Sequence, residues 1–471
     1  MIELSRRYVN RMRESTYGSI ESTPNRIFVD ASFTLSSGKN TGIERVVRSI
    51  LGESSQVCDV PLTTVFSHRN HFYAVDSNRE KILSRPRDFQ GNAITHLPQW
   101  YKSFASTVCR LLPFRSLKKW LMPYAGHLGM FKIPHLCFES YCRWQAATAE
   151  NLVSTGAGDI DLLPDAYWTE EQVWGAARQA RQRGAFIATL IYDLIPMTHP
   201  EYVGERRRVS FIEYFRNVAS HSDLIITISD TVRSEVQEQL PRLCSSQHYC
   251  QNVRGITLGA ELAESHGPIR QNIREIFADD GDNNPYIMVG SFDPRKNHSF
   301  LLDAFERLWK SGSQRRLCFI GRVGALSRDV VERIYSHAEF GKRLLTFHDL
   351  TDCELHHCYR QSRGVLMAST VEGFGLPIVE ALWHGKKTFV SNTVIHREVG
   401  GQYCEYFDLA DPIHLTRLID AWEDRLLDGA SLNPVNYRPV SWRESVAMLF
   451  DACLSEFARH STPTQKIQCV A

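Results

Sequence analysis

Short apolar runs closed by turn residues alternate with amphipathic stretches along this chain. In the second half, PYIMVGS (285–291), RLCFIG (316–321), RLLTFH (343–348), GVLMAST (364–370) and KTFVS (387–391) read as buried strands. Between the first two, residues 297–310 put Phe300, Leu301, Ala304, Phe305 and Leu308 on one helical face. The first half opens the same way, with RIFVDA (26–31), a polar loop and a helix from about Ile43. It continues with GDIDLLP (158–164), FIATLIYD (186–193) and DLIITIS (223–229). Strands alternating with helices predict α/β domains that bind ligands outside the carboxyl ends of parallel strands.

A chain of 471 residues is too long for one core, so two domains are expected. Residues 263–284 are polar and mark the boundary between a first domain over 1–270 and a second over 285–440. Residues 441–471 hold a last helix, from Trp442 to about Phe457, and a tail.

Composition narrows the classes. A net charge of +1 makes no case for nucleic acid. No apolar run reaches the length of a membrane span, and MIELSRRYVNRMRE lacks the apolar stretch of an export signal. Twelve cysteines without a C-x-x-C pair fit reduced thiols, so the expected location is cytoplasmic.

Residues 371–382, VEGFGLPIVEAL, carry the chemistry. They follow the apolar strand GVLMAST, and Gly373 and Gly375 allow a tight turn with close backbone approach. Pro377 suits the first turn of a helix, whose free N–H groups attract phosphate. Glu372 and Glu380 flank that cradle and would repel phosphate, so uncharged hydroxyls suit them better. Phosphate beside hydroxyls suggests a nucleotide sugar.

The block E-G-F-G-L-P-I-V-E-A resembles the E-x7-E segment of family 4 retaining glycosyltransferases. The resemblance implies two Rossmann-like doubly wound domains facing across a cleft, the GT-B fold. It implies that Glu372 lies by the transferred sugar, that Gly373, Phe374 and Gly375 bind the donor diphosphate through their backbone, and that Glu380 binds the ribose. Arg295 and Lys296, in GSFDPRKN, match the family pair that holds the leaving diphosphate, and both side chains are expected to be exposed. Many members carry Arg directly after the strand glycine, where this chain has Ser291. The backbone of 347–350 would form the floor under the base, and the last helix would cross back to the first domain.

Three first-domain segments are similar to family segments. SGKNTGIERVVRSI (37–50) looks like the loop facing the donor phosphate, with Gly42 as the matching position; its plainer reading is a loop and capped helix. IYDLIPMTHPEY (191–202) matches a segment written H-D-L-I-P in many relatives. Asp193 is retained and is assigned to catalysis, orienting an acceptor hydroxyl, but Tyr192 replaces the His. Ser229, in SDLIITISDTVRSEV, is expected to cap its helix. Together these motifs look like transferases of bacterial surface polysaccharides that use GDP-mannose, with UDP- or dTDP-sugars second and an epimerase or hydrolase as a further alternative. A glycan or lipid-linked glycan is the implied acceptor.

No metal or other cofactor is expected. Asp159 and Asp161 form a D-x-D but open an apolar strand, where a structural role is expected. Cys353, His356, His357 and Cys358 share a predicted helix without a second cluster to complete a zinc site. Finally, residues 81–135 hold nine Lys or Arg against Asp88 alone, interleaved with Trp100, Tyr101, Phe104, Phe114, Trp120 and Tyr124. Such a stretch suits an anionic membrane surface, or packs on the first domain, or binds an anionic acceptor.

Overall fold

The computed structural model describes residues 23–37, 42–83, 140–168, 171–243, 249–261, 267–278, 283–324, 326–429, 431 and 437–461. The 81–135 stretch falls almost wholly outside these residues.

Two sheets organise the chain. The first contains β1 (Arg26–Asp30), β2 (Leu62–His68), β3 (His71–Ala74), β4 (Leu152–Val153), β5 (Asp159–Leu163), β6 (Phe186–Ile191), β7 (Leu224–Thr227) and β8 (Val253–Gly255). Their order is β4-β3-β2-β1-β5-β6-β7-β8, parallel except at the β2–β3–β4 edge. The second contains β9 (Tyr286–Val289), β10 (Leu317–Ile320), β11 (Leu344–Phe347), β12 (Gly364–Met367), β13 (Thr388–Ser391) and β14 (Glu405–Phe407). It is parallel throughout, in the order β11-β10-β9-β12-β13-β14. That is the doubly wound order, and the connections diverge between β9 and β12. In the first sheet they diverge between β1 and β5.

The central strands are buried on both faces, which is why β6, β10 and β12 read as near-continuous apolar runs rather than alternating ones; β5 is equally buried but carries Asp159 and Asp161. The antiparallel β2–β3–β4 edge was not read from the sequence. It joins through the His68–Arg69–Asn70–His71 turn, where Arg69 and Asn70 both take positive φ.

Residues 271–276, inside the polar stretch expected as the boundary, form a short helix. Ile273 and Phe277 bury against Ile287, Cys318 and Tyr359, so this segment packs with the second sheet. The Trp442–Ser461 helix packs on the first: Val446, Leu449, Phe450, Cys453 and Phe457 share a core with Ile27, Ile160 and Leu190. Phe374 and Val379 of the second domain join that same core. The carboxyl ends of the two sheets therefore meet, and the cleft between them holds the candidate site.

Candidate active site

The loops that follow β9 and β12 leave adjacent strands at the divergence point and are tied together. The Thr370 amide donates to the Arg295 carbonyl at 2.8 Å. Residues Pro294–Lys296 form one 3-10 turn, set by the Asp293 side chain accepting from the Arg295 amide, and Asn297 follows in the left-handed region. This geometry turns Arg295 and Lys296 inward. Arg295 Nη1 donates to Glu372 Oε2 at 2.6 Å, and Lys296 Nζ pairs with Glu372 Oε1.

Both cations were expected to be exposed, and the structure corrects this. Lys296 is 7% exposed and Arg295 half-buried, because the loop after β12 closes over them and supplies Glu372, itself 8% exposed. Burial pushes the Glu372 carboxyl up, but Arg295 and Lys296 outweigh it and hold the group well below the usual carboxylate range. Burial also pulls the Lys296 ammonium down, with Glu372 opposing. Among the described residues, one carboxylate thus holds two cations at the place where a donor diphosphate was expected.

The glycine turn presses on the first domain. A Cβ on Gly373 would run into the Tyr192 carbonyl oxygen and lie 3.0 Å from the Asp193 Cβ. Ser229 Oγ donates to the Gly373 carbonyl at 2.9 Å and accepts from the Val232 amide at 3.1 Å. It caps its helix, as the sequence indicated, and also bridges the domains. Gly375 has φ 102° and starts the Leu376–Trp383 helix from the left-handed region. Phe374 is buried in the first-domain core, so only its backbone is free to face a ligand.

Asp193 lies across from these groups. Its Oδ1 accepts from the Ile195 amide at 3.1 Å, and burial raises its pKa while Arg295 opposes. The Tyr192 hydroxyl donates to the Pro164 carbonyl at 2.5 Å, so this replacement for His is committed to its own domain. Gly42 starts the Gly42–Val57 helix, and most of the loop before it lies outside the described residues. Glu380 is 3% exposed and accepts from the Tyr359 hydroxyl at 2.6 Å. It also pairs with Arg45 of the first domain.

Arg45, Tyr359 and Glu398 were missed by sequence reasoning. Glu398 accepts from the amides of Asp230 (2.7 Å) and Thr231 (2.8 Å), capping a first-domain helix from the second domain. Tyr202 completes the seam by meeting Thr370 at 2.9 Å. Nothing local in the sequence marks Arg45 or Glu398, because each meets its partner across the cleft, and Tyr359 meets Glu380 from another helix of the same domain.

The D-x-D carboxylates lie within β5. Arg26 donates to both Asp159 oxygens, at 3.1 and 2.8 Å. Asp161 accepts from the Thr155 hydroxyl at 2.9 Å, and burial pushes its pKa up from about 3.8 to about 7. On the second-domain helix, His357 Nε2 bonds with the Phe277 carbonyl at 2.9 Å and Cys358 is buried. Among the described residues no three His, Cys, Asp or Glu are grouped to hold a metal.

The Asp161 shift has a testable sign. A carboxyl raised on folding favours the native state below its unfolded value and loses that advantage as pH climbs through the folded one. Asp161→Asn should therefore raise the melting temperature at pH 8 by about 2–4 °C per kcal/mol gained and change it little at pH 4. Equal effects at both pH values in thermal melts would show that Asp161 is charged when buried.

Residues 269–423 match the family described as Glycosyl transferases group 1. The chain is 27% identical over 276 residues to the serotype-specific mannosyltransferase WbdA of Escherichia coli, covering 57% of this chain and 34% of that protein. It is 25% identical over 284 residues to the O-antigen chain mannosyltransferase B of Escherichia coli, covering 59% and 68%. The chain thus spans about a third of the length of the first relative. Among solved structures, HepE of Anabaena in complex with UDP and glucose superposes with a TM-score of 0.50, at 13% identity, over 92% of this chain and 97% of that one. The two facing α/β domains are the GT-B fold.

Proposed function

We propose that this chain is a retaining glycosyltransferase that moves mannose from GDP-mannose to a lipid-linked or oligosaccharide acceptor in bacterial surface polysaccharide synthesis. The observation that carries the reading is Glu372 between Arg295 and Lys296, beside a glycine turn that opens a helix at the divergence point of the second sheet. The similarity to two mannosyltransferases supports the choice of sugar.

In this mechanism the donor diphosphate lies against the Gly373–Gly375 amides and draws on Arg295 and Lys296. As the bond from anomeric carbon to phosphate oxygen lengthens, negative charge builds on the diphosphate and positive charge on the sugar ring. The two cations stabilise the first, and the Glu372 carboxylate lies on the side of the second. Asp193, across the cleft, orients the acceptor hydroxyl. The seam formed by Ser229, Tyr202 and Glu398 brings the domains together and excludes water.

Thermal shift with GDP-mannose, UDP- and dTDP-sugars tests the donor. A ligand at 100 times its Kd adds about 2.7 kcal/mol of stability, so the true donor should stand out. Transfer to a glycan acceptor should persist in excess chelator, since two side-chain cations serve the leaving group. Donor breakdown without acceptor would favour the epimerase or hydrolase reading, and reversible loss on chelation would favour a metal.

The basic 81–135 segment is proposed to face an anionic membrane, which would bring a lipid-linked acceptor to the cleft. Among the described residues no helix is long and apolar enough to cross a membrane. The protein should sediment with anionic vesicles, stay free of neutral ones, and be released by salt. Failure to bind anionic vesicles at low salt would remove this role.

A further inference from the structure

The geometry points to Arg45 as a latch that occupies the ribose carboxylate in the donor-free enzyme and yields it when donor binds. This rests on the reading of Glu380 as the ribose ligand. Both Glu380 oxygens are taken: Oε2 accepts from the Tyr359 hydroxyl at 2.6 Å, and Oε1 is paired with Arg45. With Glu380 only 3% exposed, a ribose diol reaches it only if one partner leaves.

The two partners differ in their freedom to leave. Tyr359 is fully buried in its own domain's core with Ile273, Phe277 and Cys318, and its ring stacks on His384 at 5.5 Å. Arg45 comes from the other domain, on the Gly42–Val57 helix, and its side chain is 19% exposed. Opening the cleft carries Arg45 away and leaves Tyr359 in place. Two ribose hydroxyls then replace the guanidinium N–H as donors, so the carboxylate never remains without a partner.

The exchange makes domain opening a precondition of donor binding, and the bound ribose keeps Arg45 off Glu380 when the domains close again for transfer. While the latch is closed the ribose site is occupied, and the apparent affinity falls by the open fraction. Glu380 thus rejects nucleoside from the closed, empty enzyme, and the latch restricts donor entry to the open form. Arg45 is a positioning residue in this scheme, acting through Glu380 rather than on the reacting atoms.

Removing the competitor should tighten binding, a sign that loss of a merely structural ion pair does not produce. Titration calorimetry with guanosine, GDP, uridine and UDP would be run on wild type, Arg45→Met and Arg45→Lys. Arg45→Met should bind the preferred nucleoside and its diphosphate about tenfold more tightly, as expected if the latch is open in one molecule in ten. Arg45→Lys, which keeps the charge without the planar fork, should gain less and supplies the same test if the Met variant does not fold. In steady state the donor KM should fall with it. Folded variants with unchanged or weaker nucleoside binding would overturn the latch. Wild type binding none of the four would instead remove the nucleotide reading of Glu380 itself.

Discussion

Lys296→Ala is expected to lower turnover by about 100-fold or more, because a cation on the departing diphosphate is lost. The same change should also lower the melting temperature. Lys296 is buried, and its removal leaves Glu372 with Arg295 as its one remaining cation in a site 8% exposed. Glu372 and Arg295 then remain as a balanced pair, so the loss should stay below the about 3–5 kcal/mol that follows when a buried charge is left with no partner. Adding Glu372→Gln reverses that balance, because it strips Arg295 of the carboxylate it holds at 2.6 Å. The double variant should be less stable than Lys296→Ala alone and should regain none of the lost turnover. Melting curves and initial rates on both proteins decide the matter. Wild-type turnover in a well-folded double variant would remove Lys296 and Glu372 from the chemistry together.

That prediction depends on a feature the chain alone did not disclose. The strand runs and the glycine turn are local, and each was legible because its period or its turn residues are written in a few adjacent positions. The sheet order of the second domain follows from the same regular alternation of strand and helix. The burial of Lys296 is not local. It arises because the loops after β9 and β12, about 75 residues apart in the chain, leave neighbouring strands and fold over one another. Adjacent cations in a polar loop normally face water, so local reasoning exposes both. The β2–β3–β4 edge was hidden for a related reason. β3 and β4 are short, and the segment between them runs through the basic stretch, so no continuous pattern announced the pairing. Arg45 lay in a motif read for its glycine, and Glu398 lay in no motif at all. Each meets its partner in the other domain. Residues at a closing seam take their meaning from the partner surface, which a single pass along the sequence does not contain.

Gly373→Ala tests that seam with the smallest possible change. Gly373 does not occupy the left-handed region, so its own backbone accepts an alanine without strain. The obstacle is the other domain: the added methyl would meet the Tyr192 carbonyl oxygen and the Asp193 Cβ. Backbone on that side is held by β6 and by the Tyr192 hydroxyl bond to Pro164, so it has little room to give. The domains would have to stay apart by the size of a methyl group. Separation on the order of 1 Å between groups that must act together costs about 100-fold in rate. Turnover should fall by that order, while nucleotide affinity should hold or rise, because domains kept apart also keep Arg45 off Glu380. Ser229→Ala removes the hydrogen bond to the Gly373 carbonyl without adding bulk, and should cost much less. Initial rates with nucleotide titrations on the two variants separate the outcomes. Undiminished turnover in Gly373→Ala would mean that the closed contact between Gly373 and Tyr192 is not the conformation in which transfer occurs.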